Sequence, residues 1–302
     1  MAEKSKFLLI ENPIAGDENK APCMDYLKDL FEKENIEYNL FETTGENDFA
    51  KAQEVIEEVQ PTVVVAIGGD GTINLVAQLV RNTDMIFGII PLGSANGLAA
   101  ELGIPEQFER AAEILLAQNI RSLDAVLINK SYLSLHLSDI GLNAKVVKRF
   151  EEEKMRGMLG YTRQFISELF NLKPSKFDIT LDDKPTFTKK AHMIVLANAT
   201  MYGTGIEVNP YGKLDDGLFE VCLIKPFRWY EFFPILFSFL FRQLHTSPHI
   251  DHYQCKSARI VNRDEEVLQV DGEVIGNPNT VDVEILPQAY QVIAPQKPTS
   301  RQ

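Results

Sequence analysis

A chain of 302 residues with a formal charge of −13 is a poor partner for nucleic acid, and any contact with an anionic membrane must come from a local patch. Apolar residues at 45% and charged residues at 24% are the balance of a globular protein that buries its own core, and this length favours two domains. Cys23, Cys222 and Cys255 are far apart and in no metal-ligand spacing, which fits unpaired thiols in a reducing compartment.

The N-terminus runs through Lys4 and Lys6 straight into the strand-like Phe7 to Ile10, with no room for a signal peptide, so a cytoplasmic protein is expected. Predicted strands at Lys6 to Ile10, Asn35 to Phe41, Val63 to Ile67 and Met85 to Ile90 alternate with predicted helices at Cys23 to Glu34, Asp48 to Glu58, Ile73 to Arg81 and Leu98 to Leu102. This alternation predicts an α/β, doubly wound parallel sheet over residues 1–123. Ligands of such sheets sit at the carboxyl ends of the strands, where the loops 12–16, 43–45, 68–72 and 93–97 converge.

The most informative of these loops is Gly68 Gly69 Asp70 Gly71 Thr72, between a β-branched strand and a helix. Three glycines let the backbone approach a bulky anion with its N–H groups, and the helix N-terminus adds partial positive charge, which suits a polyphosphate. Asp70 would repel phosphate unless a divalent cation intervenes or it takes a proton from a hydroxyl, and the pairing suggests phosphoryl transfer. The plainer reading is a tight turn with Asp70 capping its own helix. A second glycine loop, Gly93 Ser94 Ala95 Asn96, offers a hydroxyl and an amide to phosphate, and Asn12 Pro13 follows the first strand as a stiff turn with another amide.

After a helix from Glu106 to Gln118 the pattern turns to short extended runs, at Ser122 to Ile128, Tyr132 to Ile140, Phe177 to Leu181, Ala191 to Ala197 and Leu218 to Ile224. Turns at Asp182 Asp183, Asp216 Gly217 and Asp271 Gly272 predict antiparallel β structure and a second, mainly β domain over 124–302. Helices are expected within it at Ala144 to Glu153, Leu159 to Asn171 and the aromatic stretch Phe227 to Leu244. The uninterrupted apolar part of that stretch, Phe232 to Phe241, is too short to span a bilayer, leaving open whether it is buried or lies at a membrane interface. The tail beyond Gln296 is expected to be disordered. In the Asp271 Gly272 Glu273 hairpin the turn dipeptide explains itself, while Glu273 is a carboxylate that can act as general base toward a substrate hydroxyl.

Taken in order and spacing, Asn12 Pro13, the two glycine loops, Asp216 Gly217 and Asp271 to Glu273 resemble the diacylglycerol kinase catalytic family, above all its bacterial lipid kinase branch; Arg156 Gly157 and Tyr161 also match. The resemblance implies a first domain of the kind found in NAD kinases and phosphofructokinases, a second that is a mainly antiparallel β-sandwich with its C-terminal segment packing back on the first, ATP in a cleft between the two domains, magnesium, and phosphorylation of a lipid hydroxyl. It implies a nucleotide site of Asn12, Pro13, Thr43, Thr44, Gly68, Gly69, Asp70, Gly71, Thr72, Asn74, Gly93, Ser94 and Asn96. It also implies Glu273 as base, Asp70 beside the catalytic magnesium, and a structural magnesium on Asp216 with the carbonyls of Lys213 and Leu218. Whether Asp70 or Glu273 takes the proton stays open.

The family's second loop usually continues Thr, X, Asn, Asp, but here reads Ser94 Ala95 Asn96 Gly97, similar to the sphingosine and ceramide kinase form, so the acceptor lipid is open between diacylglycerol and a sphingoid-type lipid. The partners implied are a lipid at the membrane surface, by peripheral contact at the inner face, and a second copy in a homodimer. An NAD kinase would carry an Asn-Glu pair and a Gly-Ser-Thr-Ala-Tyr stretch after the first loop, and neither is present. A non-catalytic lipid-binding protein of the same fold is disfavoured by retention of both Asp70 and Glu273.

Overall fold

A computed structural model describes residues 5–13, 20–141, 173–201, 207–227 and 249–296. The predicted helices over 144–153 and 159–171, Arg156, Gly157, Tyr161, Gly16, the aromatic stretch after Phe227 and the tail beyond 296 lie outside the described residues. The chain divides into two compact units, Met1–Leu123 with Gln288–Gln302, and Asp124–Pro287.

In the first unit β1 (Lys6–Glu11), β2 (Glu37–Glu42), β3 (Val63–Gly68) and β4 (Ile86–Pro91) form a parallel sheet in the order β2-β1-β3-β4. Gln291 and Val292, from the last strand of the chain, run parallel beside Ile86 and Phe87. β3 is buried at all six positions, as a continuous apolar run covered on both faces must be. Helices α1 (Ala21–Lys33), α2 (Asp48–Val59), α3 (Asp70–Val80), α4 (Gly97–Leu102) and α5 (Phe108–Ala117) complete the α/β layer. The third helix starts at Asp70, three residues before the predicted Ile73, because the glycine loop itself supplies its first turn.

The second unit holds β5 (Ile120–Ile128, which enters from the first), β6 (Tyr132–Ser134), β7 (Leu137–Gly141), β8 (Ser175–Leu181), β9 (Phe187–Ala191), β10 (Met193–Ala197), β11 (Phe219–Ile224), β12 (Ile250–Cys255), β13 (Ser257–Asn262), β14 (Leu268–Val270), β15 (Glu273–Gly276) and β16 (Thr280–Ile293). One antiparallel sheet runs β12-β11-β10-β7-β14-β15; the other places β16, β13, β8 and β9 side by side, with β5 pairing β16 and β6. Between them lies a core that takes Ile140, Leu196, Phe219, Val221 and Leu268 from the first sheet and Phe177, Ile179, Ile260, Val281 and Val283 from the second. Alternating inward residues from two packed sheets make this a β-sandwich.

Two predicted runs are each divided. Tyr132 to Ile140 breaks between β6 and β7 because the N–H groups of Leu135 and His136 turn to Asp271 instead of to a neighbouring strand. Ala191 to Ala197 breaks at His192, where the chain leaves one sheet for the other and the His192 N–H donates to Ile224 O at 2.8 Å. Among the described residues no helix is long and apolar enough to cross a membrane.

Candidate active site

In the first unit, parallel register aligns Glu11 with Glu42 and Ile67, and Gly68 with Pro91, so the loops after β1 to β4 leave one edge of the sheet. Backbone bonds tie them there: Asn12 N to Ile67 O at 3.2 Å, Thr43 N to Glu11 O at 2.8 Å and Leu92 N to Gly68 O at 2.8 Å. Each glycine has a separate reason. A Cβ on Gly68 would sit 2.4 Å from Thr72 Oγ1, and one on Gly93 would sit 2.4 Å from Gly69 Cα, so the two glycine loops touch backbone to backbone. Gly71 is exposed with nothing within 4 Å of an added Cβ, an opening through which an anion can reach the first turn of α3.

The Asp70 carboxylate reaches beyond its own helix. Gly69 is the N-cap of α3, and Asp70 Oδ1 accepts the Gly97 N–H at 2.8 Å, reaching across to the start of α4. Burial pushes its carboxyl up, against the lowering effect of N–H groups at Gly97, Leu98 and Asn96. Asn96 is buried in the left-handed conformation and closes its own loop, with Oδ1 accepting from Gly93 N at 2.8 Å and Nδ2 donating to Gly93 O at 2.7 Å. Its amide therefore braces the loop, while Ser94 is exposed. Thr72 is buried, and its Oγ1 makes no hydrogen bond among the described residues. Asn74 is half-buried on α3 and Pro13 is exposed. Thr43 is buried, whereas Thr44 is exposed and held by Asp48, which accepts from Thr44 N at 2.8 Å, Thr44 Oγ1 at 3.1 Å and Gly45 N at 2.8 Å. Sequence reasoning missed Lys20, a buried cation whose Nζ donates to the Asn12 carbonyl. Burial lowers its pKa against the pull of Glu11, and burial followed by Glu42 raises that of Glu11.

In the second unit Glu273 opens β15, one residue past a turn in which Asp271 (φ 45°) and Gly272 (φ 92°) both take positive φ, the pattern of a type I′ hairpin. Glu273 pairs with Val270 through the strand ladder, and its exposed side chain makes no hydrogen bond or ion pair among the described residues, so the hairpin sets its direction. The turn is firmly held. Asp271 Oδ1 accepts from Ser134 Oγ at 2.8 Å, His136 N at 3.2 Å and Leu137 N at 3.2 Å, and Oδ2 accepts from Leu135 N at 2.8 Å. Burial lowers the pKa of His136 to about 4, so its ring is neutral at ordinary pH.

The 209–218 loop places Asp216 exposed, with Oδ1 accepting from Leu218 N at 3.1 Å. Its other oxygen and the carbonyls of Lys213 and Leu218 are all oxygen donors, which is the chemistry a hard cation such as magnesium takes. Sequence reasoning missed Asp124, buried behind this loop, whose Oδ2 accepts from Gly217 N at 2.6 Å and whose N–H donates to Leu214 O at 2.7 Å. Beside the loop a groove of about 900 Å³ is lined by Tyr211, Lys213, Glu220, His252, Tyr253 and Gln254. The Glu220 carboxyl on its wall is pushed up by burial, although Asn209 and Gln254 donate to it at 2.6 and 3.0 Å.

A family model described as the diacylglycerol kinase catalytic domain matches residues 6–128. A second, the YegS C-terminal NAD kinase beta sandwich-like domain, matches residues 138–294, more than half of the chain. The chain belongs to the YegS-like branch of the diacylglycerol kinase family. A protein of Citrobacter koseri named "Probable lipid kinase YegS-like" is 28% identical over 98% of each chain, and "Probable lipid kinase YegS" of Escherichia coli O1:K1 / APEC is 27% identical over the same shares. The crystal structure of a diacylglycerol kinase from Bacillus anthracis str. Sterne covers 98% of each chain at 21% identity with a TM-score of 0.71, and another crystal structure from that organism reaches 0.80 at 20% identity, over 98% of this chain and 99% of that one. These two share its fold. Membership in a kinase family implies ATP as phosphoryl donor, and the glycine loops and the 216–218 turn of this YegS-like chain fall in the units the two family models match.

Proposed function

We propose that the protein is an ATP-dependent lipid kinase that phosphorylates the hydroxyl of diacylglycerol or a sphingoid-type lipid, working from the cytoplasm by peripheral contact with the inner membrane face. The observation that supports this best is the pair of glycine loops in backbone contact at Gly69 and Gly93, beside the open first turn of α3. Backbone N–H groups there bind and orient the triphosphate, with Ser94, Thr44 and Asn12 around it. Asp70 would stand near a magnesium that would neutralise charge developing on the phosphates, while Asp216 and the carbonyls of Lys213 and Leu218 would hold a structural magnesium.

Glu273 removes the proton of the acceptor hydroxyl as its oxygen forms a bond to the γ-phosphorus and the bond from that phosphorus to the ADP oxygen breaks. Asp271, with four donors spent on it, is a brace and not a rival base, and the half-buried Asp70 is occupied by α4. Of Asp70 and Glu273, the exposed Glu273 is therefore the better proton acceptor. Radiolabelled ATP offered with diacylglycerol, monoacylglycerol, sphingoid bases, ceramide, undecaprenol or NAD tests the reading. Label is expected in one of the lipids. Label in NAD alone, or in none, overturns it.

A further inference from the structure

Beneath the hairpin lies a buried bridge. Gln269 on β14 is 1% exposed and Asp139 on β7 is 0% exposed, and the two are directly paired across the strands. Gln269 Nε2 donates to Asp139 Oδ2, and Gln269 Oε1 accepts the Gly272 N–H at 2.6 Å. Gly272 N–H can only donate, so Gln269 Oε1 must face it and Nε2 faces Asp139, and glutamine is a side chain that supplies both ends. Asp271 is clamped from 134–137 on one side of the turn, and Gly272 is clamped from below by Gln269.

We propose that Gln269, seated on Asp139, is a positioning residue for phosphoryl transfer: it fixes the Gly272 end of the turn and so aims the exposed Glu273 carboxylate. This rests on the reading of Glu273 as base. The two fixed points lie one and two residues before Glu273, whose exposed side chain makes no hydrogen bond or ion pair among the described residues. A shift of about 1 Å at such a group costs on the order of 10²-fold in rate.

The test uses the full chain and the lipid acceptor found by the screen. Gln269→Leu is expected to lower kcat by on the order of 10²-fold with KM for ATP unchanged, and to speed hydrogen exchange at the Gly272 amide. Gln269→Glu is the sharper variant. Ionised, it sets two buried carboxylates against each other; sharing one proton, the pair restores a donor to Asp139 and an acceptor for Gly272. Its kcat relative to wild type is therefore expected to be highest at acid pH and to fall as pH rises, a profile that a loss of packing would not produce. A flat ratio, or wild-type kcat in Gln269→Leu while Glu273→Gln is inactive, overturns the proposal. If Glu273→Gln stays active, the base assignment fails instead, and Gly272 exchange decides the bridge: acceleration in Gln269→Leu upholds it and no change sinks it. Should Gln269→Leu not fold, the pH profile of Gln269→Glu is decisive by itself.

Discussion

The turn at Gly68 to Thr72 and the turn at Asp271 to Glu273 both present an acid at a tight bend, yet they are built by opposite means. The first depends on side chains that are missing, since Gly69 and Gly93 meet through bare backbone and a Cβ on either crowds the other loop. The second depends on side chains that are present, since Asp271 accepts hydrogen bonds from residues 134–137 and Gln269 accepts one from Gly272 of the turn itself. A phosphate loop has to bring N–H groups close to a large anion, so it empties itself of bulk; a hairpin carrying a single acid has to hold one direction, so it is braced. The two regions should therefore fail to different substitutions.

The largest expected effect comes from Glu273→Gln, which removes the proton acceptor and leaves the turn intact. Turnover should fall about 10²- to 10⁴-fold, with ATP affinity by calorimetry unchanged. Gly93→Ala attacks the other region. Its Cβ would lie 2.4 Å from Gly69 Cα, and parting two backbones at about 1 to 3 kcal/mol corresponds to roughly five- to 150-fold weaker ATP binding. Equal ATP affinity in Gly93→Ala and wild type would end the idea that the interlocked loops form the nucleotide site.

Next in size is Asp271→Asn. An amide offers one acceptor oxygen where the carboxylate serves four donors, and its NH2 faces donors, so destabilisation of about 1 to 3 kcal/mol is expected in denaturant unfolding, with a lower kcat from the misdirected Glu273. Unchanged stability would show that water replaces those bonds at no cost.

This contrast also separates what was legible in the sequence from what was not. The parallel α/β unit, its glycine loops and the antiparallel strands follow from local signals, namely β-branched runs, glycine spacing and turn dipeptides, whereas the packing of two sheets into a sandwich came only with the family resemblance. Asp271 Gly272 was legible as a turn, but its clamp at 134–137 comes from more than 130 residues away along the chain, and Gln269 and Asp139 read as ordinary strand residues until register pairs them. Asp70 was legible as a special acid, whereas its reach to Gly97 needs the loops after β3 and β4 to be neighbours. Asn96 carried a polar amide, and only its positive φ and its bonds to Gly93 show that it braces its own loop. Lys20 and Asp124 carried no signal, because a buried charge with a structural partner has no pattern of its own.

The smallest effect separates the two turns by pH. Burial depresses the pKa of His136 from 6.5 to about 4, and its backbone N–H is one of the donors to Asp271. A depressed folded value means that the unfolded chain binds the proton first, so the stability tied to the neutral ring is complete above pH 6.5 and is lost as pH falls toward 4. By pH 5 the loss should be about 2 kcal/mol, given roughly 1.4 kcal/mol for each pH unit below the unfolded value. His136→Leu carries no such proton. Its unfolding midpoint should therefore gain on wild type between pH 7 and pH 5, while the Gly68 to Thr72 loop, read by ATP binding in both proteins, should show no difference between them. A wild-type deficit that does not grow on acidification would mean that the ring is protonated in the folded protein and that the braced hairpin is no more acid-sensitive than the glycine loop.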